Sequence, residues 1–212
     1  MRQAEQSRFA ICLVMSKWSR HRAQSSIAVL KVETKMLKSV NAGVISLHAA
    51  TAADLTRIEN MMQFYNYDLS ESSPVALGEN GLFTLRPKEA YWAKPSVKPY
   101  IAIVSGELAG FAVVDDEVIY PDAEFNIGYF FLARRYRRRG LAQQMASQLF
   151  KVHPGRWEVY HFASNATADR FWAKAIAQVS FGQSRVEDIV RDEMRCRLHR
   201  FSISESSHPA GS

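Results

Sequence analysis

The sequence predicts a mixed α/β fold, and three observations support this prediction. Runs typical of strands recur from Val44 to Phe201, and several are separated by segments with apolar residues at helical spacing. Short turns join two pairs of these runs, which predicts a hairpin on each side of a central strand, helix, strand, helix unit. No internal repeat interrupts this order. We therefore expect a single domain over residues 44–201, with its strands in one sheet.

The first elements predicted are a strand over VISLHAA, residues 44–50, and a helix that follows it. Thr51 can cap this helix, because its side chain can bond to exposed backbone groups at a helix start. The apolar residues at helical spacing are Leu55, Ile58, Met62 and Tyr65. Residues 68–81 are polar and contain proline and glycine, which predicts a loop. A short second helix is predicted over residues 88–93.

The remaining elements begin with a hairpin. KPYIAIVSGELAGFAVVDD, residues 98–116, contains two β-rich runs joined by Ser105 and Gly106. After it we predict a strand, a helix, a strand, a helix and two final strands. Their expected ranges are 124–132, 140–151, 156–163, 167–177, 181–190 and 194–201.

The positive charge is confined to the N-terminal segment. The whole chain has a net charge of +6, and residues 1–43 alone contain eight basic and two acidic residues. The rest is therefore neutral overall, whereas a nucleic-acid-binding domain normally carries an excess of positive charge. We interpret residues 1–43 as a dispensable basic extension, either a targeting segment or sequence upstream of a true start at Met15 or Met36. Residues 202–212 are expected to form a polar tail.

Three function classes are disfavoured. No apolar run approaches the roughly 20 residues that span a bilayer, so no membrane partner is expected. Cys12 and Cys196 lie far apart, and reduced thiols in a cytoplasmic setting are the simplest interpretation. The histidines show no ligand spacing, so no metal is expected. Those considered are His48, His153, His161 and His199.

The most informative segment is FFLARRYRRRGLAQQMASQLF, residues 130–150. A strand runs through a basic turn into a helix, so several unpaired N–H groups and the positive end of the helix dipole meet at one point. Gly140 permits close approach of a ligand to the backbone. The surrounding guanidinium groups, which suit phosphate oxygens, belong to Arg134, Arg135, Arg137, Arg138 and Arg139. This arrangement favours a polyphosphate ligand; a solvated basic turn or a nucleic-acid patch are the alternatives.

The combination of motifs resembles the GNAT N-acetyltransferases over about residues 44–201. The resemblance depends on the strand FNIGYFFL, the RxxGxA turn and the later NATADRFWAK, in this order. It implies the acyl-CoA N-acyltransferase fold, an α/β (α+β) fold with a mixed central sheet of about six to seven strands flanked by helices. It also implies acetyl-CoA as co-substrate, no metal, and direct acetyl transfer to a primary amine. AYWAKP, RRYRRRG and HPGRWEV are similar to a branch without a known substrate.

The resemblance also implies a set of cofactor-binding residues. The pyrophosphate would bind to the backbone amides of Arg138, Arg139, Gly140, Leu141 and Ala142, with Arg137 at the usual Gln/Arg position. The pantetheine arm would pair, like an extra strand, with backbone groups of Phe131, Leu132 and Ala133. Asn165 matches a side-chain amide that contacts the cofactor, with a simple N-cap as the alternative. Trp172 stands where many members have a tyrosine.

The catalytic residues are less well defined. An amine with a pKa of about 10.4 costs roughly 4 to 5 kcal/mol to present neutral at pH 7, so a base is useful. Glu124 shares a strand face with Asn126 and Gly128 and is our candidate base through water, with a solvated strand end as the alternative. Asp122 is a weaker candidate. Trp172 cannot act as an acid. The candidate acids in its place are Tyr129 and Tyr160.

Residues in FYNYDLSE lie where the family places its acceptor side. They are Tyr65, Tyr67, Asp68 and Ser70, with a core position as the alternative for Tyr65. The expected acceptor is a small-molecule or peptide amine, and the expected state is a monomer or homodimer. A non-catalytic acyl-CoA sensor or interaction domain is the alternative function.

Overall fold

The structure is a computed structural model that describes residues 43–87 and 89–204. Most of the predicted N-terminal extension, including Cys12, lies outside the described residues, as do Lys88 and residues 205–212 of the predicted tail. All structural statements below concern the described part of the chain.

Seven strands form one mixed sheet in the order β1-β2-β3-β4-β5-β7-β6. They span Ile45–Ala49 (β1), Lys98–Val104 (β2), Glu107–Asp115 (β3), Phe125–Leu132 (β4), Gly155–Phe162 (β5), Ser184–Arg191 (β6) and Met194–Ile203 (β7). Neighbouring strands are antiparallel except β4 and β5, which are parallel. The predicted sheet of six to seven strands is confirmed. The last strand extends to Ile203, two residues into the predicted tail.

Four α-helices cover the two faces of the sheet. They are Leu55–Leu69 (α1), Glu89–Trp92 (α2), Leu141–Val152 (α3) and Ala166–Val179 (α4). Successive strand residues point to opposite faces, so α1 packs on Phe111 and Val113 while α3 and α4 pack on Ala112 and Val114. None of the described helices is long and apolar enough to span a membrane.

Local signals identified the hairpin turn correctly and the start of α1 only approximately. Thr51 precedes a 3-10 turn, Ala52–Asp54, and the Asp54 carboxylate accepts hydrogen bonds from the N–H and the hydroxyl of Thr51, at 3.0 and 2.9 Å. α1 begins after this turn, at Leu55. Between β2 and β3, Ser105 and Gly106 have φ angles of 52° and 79°. Two successive positive φ values match the right-handed twist of a hairpin, which explains why this dipeptide joins the strands.

The sheet is interrupted at its centre. β4 and β5 pair at only two positions, Phe125 with Trp157 and Asn126 with Glu158. Beyond them, β4 contains a bulge: Val113 and Val114 of β3 face Tyr129 and Ile127, which leaves Gly128 as the extra residue. We call the space between residues 128–132 of β4 and 160–162 of β5 the interstrand cleft. Its position fixes where a ligand can enter the sheet.

Candidate active site

The basic turn after β4 forms an anion-binding geometry. Leu132 ends the strand, Arg134–Tyr136 form a 3-10 turn, and Arg138 and Gly140 have left-handed φ angles of 61° and 77°. Gly140 then begins α3, whose first turn contains no acidic residue. A Cβ added at Gly140 would meet no atom within 4 Å, so this side of the turn is open. The first N–H groups of α3 are therefore accessible to a ligand.

Two arginines of this turn are held by Asp68 at the end of α1. Arg134 donates to its Oδ1 through Nη2 and Nε at 2.7 and 3.2 Å, and Arg137 Nη2 bonds to Oδ2. Arg137 Nε also donates to the carbonyl of Leu132 at 2.6 Å. Burial raises the pKa of Asp68, but the hydrogen bonds from Arg137 and Arg134 outweigh it, and the pKa lies below its usual value. Asp68, predicted as a substrate residue, is therefore an ion-pair partner of the turn.

Both backbone groups of Ala133, which are predicted to pair with the pantetheine arm, already have partners in the protein. Its N–H donates to the carbonyl of Ala109 at 2.8 Å, and its own carbonyl accepts from the N–H of Tyr136 at 2.9 Å. Both groups are occupied because β3 is longer than β4 at this end and continues the ladder past Leu132.

The same register turns the backbone groups of Phe131, also predicted to contact the pantetheine arm, toward β3. A Cβ added at Gly110 of β3 would lie 2.1 Å from the Phe131 oxygen, so this carbonyl points toward β3. Backbone groups alternate between the two edges of an antiparallel strand. Phe130, which the sequence did not suggest, therefore presents its backbone groups to the interstrand cleft. Leu132 faces the same way, but its carbonyl already accepts from Arg137 Nε, so its N–H is the group left for a ligand.

Asn165 and Trp172 place α4 beside the cleft. The Asn165 Oδ1 accepts from the Ala168 N–H at 2.9 Å, which makes it the N-cap of α4. The Trp172 side chain is only 6% exposed, and its ring lies 5.0 Å from Phe130 and 4.8 Å from Phe171. Both residues thus have structural roles in the protein itself, and their contact with a cofactor stays a prediction.

A tyrosine cluster borders the cleft on the α1 face. The Tyr129 ring lies 5.6 Å from that of Tyr65 and 6.4 Å from that of Tyr91, and Tyr65 also contacts Phe111 at 6.5 Å. Burial raises the pKa of Tyr65 to about 12 and also raises that of Tyr129. A thiol has a pKa of about 8.5, so these hydroxyls can donate hydrogen bonds to a thiolate but are weaker acids than the thiol.

Two other predicted tyrosines lie apart from this cluster's centre. Tyr67 is 62% exposed, and the Arg134 guanidinium lies 5.7 Å from its ring. Tyr160 of β5 has the Arg191 guanidinium 4.8 Å from its ring, and burial raises its pKa. Tyr67 therefore lies on the surface, and its contact with a substrate stays a prediction.

A buried carboxylate that the sequence did not suggest lies at the inner end of the cleft. Asp115, which ends β3, is 2% exposed and accepts from the Tyr91 hydroxyl at 2.6 Å, from Asn126 Nδ2 at 2.8 Å and from the Glu117 N–H at 3.2 Å. Burial raises its pKa. A Cβ at Gly128 would lie 2.1 Å from its Oδ2. The carboxylate therefore lies against the bulge where β4 leaves β5. An acid at the end of a buried strand is the one signal that could have indicated it.

Glu124 lies at the opposite, paired end of β4. Its Oε2 accepts from the Arg156 N–H at 2.9 Å and lies 3.4 Å from the Arg156 guanidinium. Tyr129 is five positions further along the chain, which is about 16 Å along a strand. Asp122 bonds to Arg200 at 2.6 Å. The structure therefore supports the alternative of a strand-end residue for Glu124, because its carboxylate holds the start of β5.

Two histidines that are distant in sequence lie together. His161 and His199 are buried with their Nε2 atoms 3.4 Å apart, and Asp169 Oδ1 lies 3.6 Å from the His161 Nε2. Burial lowers the pKa of His161 and lowers that of His199 to about 4. The expectation that the histidines are scattered is therefore wrong for this pair, whereas His48 and His153 lie elsewhere.

The seven-stranded sheet, its split between β4 and β5, and the glycine turn before α3 define an acyl-CoA N-acyltransferase fold. A family model for the Acetyltransferase (GNAT) family matches residues 59–176, more than half of the chain. The chain belongs to this family and is an acetyltransferase by membership. No curated protein sequence matches the chain.

Solved structures show the same fold at low identity. An acetyltransferase from Thermus thermophilus is 10% identical with a TM-score of 0.53, covering 76% of this chain and 97% of its own. NAA60 from Arabidopsis thaliana, in complex with a bisubstrate analogue, is 15% identical with a TM-score of 0.51. The match covers 77% of this chain and 100% of the NAA60 chain. The yncA protein from Salmonella typhimurium, with its cofactor acetyl-CoA, is 12% identical with a TM-score of 0.50. The match covers 79% of this chain and 99% of the yncA chain.

Proposed function

We propose that this protein transfers the acetyl group of acetyl-CoA directly to a primary amine of a small molecule or peptide. One observation supports this most: the interstrand cleft runs from the open glycine turn to the buried pair of Tyr91 and Asp115. A phosphate-binding end and a proton-accepting end thus lie at the two ends of one cleft. The structure of yncA, which has this fold and acetyl-CoA as its cofactor, is consistent with that ligand.

The cofactor would lie along the edge of β4. Its pyrophosphate would accept hydrogen bonds from backbone amides at the start of α3, where the helix dipole favours anions. The amides in question belong to Arg138, Arg139, Gly140, Leu141 and Ala142. Its pantetheine arm would pair with the backbone of Phe130 and the N–H of Leu132, with Asn165 and Trp172 on the α4 side. Arg137 would act mainly by fixing the turn, because its guanidinium binds Asp68 and the Leu132 carbonyl.

The buried carboxylate provides a base. The amine nitrogen attacks the thioester carbon, the C–S bond breaks, and the thiolate leaves. The amine proton passes to the Tyr91 oxygen while Tyr91 gives its own proton to Asp115. Because burial raises the pKa of Asp115, it accepts a proton more readily than a solvated aspartate. We propose Asp115 in place of Glu124 for this reason, with Tyr129 as a hydrogen-bond donor to the thiolate.

The acceptor would approach from the α1 face, where Tyr65 and Tyr129 border the cleft. We further propose a cytoplasmic protein that acts as a monomer or homodimer without nucleic acid. Tyr67 and Asp68 lie near the end of α1, where Tyr67 is exposed and Asp68 binds the arginines of the turn, so we assign them no direct contact with the reacting amine.

The alternative is a non-catalytic acyl-CoA sensor, which is favoured by the buried Trp172 in place of an acidic tyrosine hydroxyl. Thiol release from acetyl-CoA, measured across a panel of amines, separates the two functions. We expect turnover with at least one primary amine and its loss in Asp115→Asn. Tight acetyl-CoA binding with no thiol release from any amine would overturn the catalytic proposal and support a sensor.

A further inference from the structure

A cluster of three ligand-type side chains lies on the opposite face of the sheet from Asp115 and the tyrosine cluster. His161 of β5 and His199 of β7 lie on the sheet face that α4 covers, and α4 contributes Asp169. The imidazoles are 8% and 2% exposed. One ligand atom from each side chain can be chosen so that all three lie within 4.8 Å of one another.

Two distances within the cluster match the edges of a tetrahedral metal site. Two nitrogen ligands at about 2.0–2.1 Å from a tetrahedral zinc ion lie roughly 3.4 Å from each other. The Nε2 atoms of His161 and His199 are 3.4 Å apart, and Asp169 Oδ1 is 3.6 Å from the first of them. The third pair, His199 and Asp169, lies within 4.8 Å, so a shift of the Asp169 side chain would place the three ligands at three corners and leave the fourth corner for water.

The surroundings of His161 also fit a ligand. Its Nδ1 lies 3.1 Å from the carbonyl of Phe162, so the Nδ1–H can donate there and the Nε2 lone pair points at His199. This second hydrogen bond is the usual way in which proteins fix the tautomer of a metal-binding histidine. It is an observation independent of the distances between the three side chains.

The charges around the cluster favour a cation. Arg197 is the positive group that faces it, with Nη1 at 3.2 Å from Asp169 Oδ1. Arg197 is also bound by Asp188, at 3.1 Å from its Nε. The carboxylates of Asp169 and Asp188 carry two negative charges, and the guanidinium of Arg197 carries one positive charge. One negative charge is therefore in excess beside the two imidazoles. The bond from Arg197 also orients the Asp169 carboxylate, as hydrogen bonds to metal-binding carboxylates commonly do.

We infer that His161, His199 and Asp169 form a binding site for a divalent transition metal of the zinc type. Imidazole and carboxylate ligands suit zinc, and cobalt(II) can replace it as a spectroscopic probe. The ion would join the first turns of α4 to β5 and β7. Because Asn165 and Trp172 are on the same helix, the site would brace the α4 wall of the cleft without taking part in acetyl transfer.

Calorimetric titration of untagged, chelator-treated protein with zinc chloride tests this inference, with cobalt(II) absorption as a second measurement. We expect one equivalent to bind, visible bands typical of tetrahedral cobalt, and a higher unfolding temperature with zinc. Ligand variants His161→Gln, His199→Gln and Asp169→Asn should each weaken zinc binding by at least about 10-fold. His48→Gln changes an exposed histidine on β1 and should bind zinc like the parent.

Circular dichroism checks that each variant is folded, and Asp169→Asn keeps the test valid if a histidine variant does not fold. The absence of zinc binding to the parent protein would overturn the inference. So would equal affinity in the parent and in folded Asp169→Asn, since that would indicate adventitious surface binding.

Discussion

Tyr91 donates a 2.6 Å hydrogen bond to Oδ2 of Asp115, and both groups lie against the backbone of Gly128. Tyr91 comes from a four-residue helix and Asp115 from the end of β3, 24 residues later. A Cβ on Gly128 would lie 3.0 Å from the tyrosine oxygen. The bulged glycine therefore allows a buried acid and its hydroxyl partner to reach the start of the interstrand cleft.

The first prediction concerns pH. Burial raises the pKa of Asp115 above 3.8, so its carboxylate forms only at a higher pH than that of a solvated aspartate. The kcat/KM of the parent should fall as the pH falls through this raised pKa. Asp115→Asn should lose this limb and about 10²–10⁴-fold in kcat. Glu124→Gln separates the two candidate bases, and a rate loss there as large as in Asp115→Asn would contradict our choice.

The second prediction concerns the tyrosine hydroxyl. Tyr91→Phe keeps the ring but removes the relay, so kcat should fall by roughly 10–100-fold. Because the Tyr91 hydrogen bond lowers the pKa of Asp115, the acidic limb of the rate profile should move to higher pH. Tyr120→Phe is the matched control, since it removes a tyrosine–carboxylate hydrogen bond to Glu187, whose strand β6 lies at the sheet's edge. If the acidic limb of the rate profile lies at the same pH in Tyr91→Phe as in the parent protein, this would argue against a proton relay from Tyr91 to Asp115.

The third prediction concerns the bulge. Gly128→Ala places a Cβ 2.1 Å from the Asp115 carboxylate, which three hydrogen bonds hold in place. We expect a loss of about 1–3 kcal/mol in the free energy of unfolding, measured with urea. In an Asp115→Ala background the same change should cost less, because the clashing oxygen is gone. If the stability losses of the two changes are additive in this double-mutant cycle, the contact between the added Cβ and the Asp115 carboxylate is not responsible for the loss.

The strands and helices could be predicted because their signals are local. Ser105 and Gly106 identify a hairpin turn on their own, and Thr51 lies three residues from Asp54, with which it forms the cap. The glycine turn before α3 was equally local, since Gly140 and the residues that flank it are consecutive. For these features the sequence neighbours are also the contacting neighbours.

The chemistry of the site could be predicted only in part, because it depends on strand register. Which backbone edge of β4 is free follows from the pairing of Ala133 with Ala109, and no pattern within β4 reveals it. Asp68 meets Arg137 across 69 residues of sequence. The pairing of β5 with β7 likewise brings His161 to His199, 38 residues apart.

The fourth prediction compares two glycines in the same conformation. Gly140 and Gly182 have φ angles of 77° and 78°, and a Cβ at either would meet no protein atom within 4 Å. Alanine at either position should cost about 1 kcal/mol of stability through backbone strain alone. Gly140→Ala should in addition weaken coenzyme A binding in calorimetry, because its Cβ projects where the pyrophosphate would lie. Equal affinities of the two variants would mean that the ligand does not approach Gly140.

The fifth prediction concerns the ion pairs of Asp68. Asp68→Asn removes the charge that orients Arg134 and Arg137, and the partly exposed site suggests a loss of about 1 kcal/mol in unfolding free energy. It should also raise the KM for acetyl-CoA, because Arg137 fixes the turn. Asp192→Asn breaks the exposed pair with Arg86 and should leave both values close to those of the parent. An unchanged KM in Asp68→Asn would show that the turn keeps its shape without this contact.

The short ladder between β4 and β5 also has a mechanical consequence. Two paired positions join these strands, whereas β5 and β7 pair at eight, from Gly155 with Ile203 to Phe162 with Cys196. Resistance to shear depends on the number of cross-strand hydrogen bonds. Among the described strands, the weakest pairing is therefore the one between β4 and β5, in the middle of the sheet. The two halves of the sheet are therefore held together there mainly by side chains of α3 and α4, which pack on both. Under force or heat, we expect β4 and β5 to separate first, and this separation would open the candidate active site.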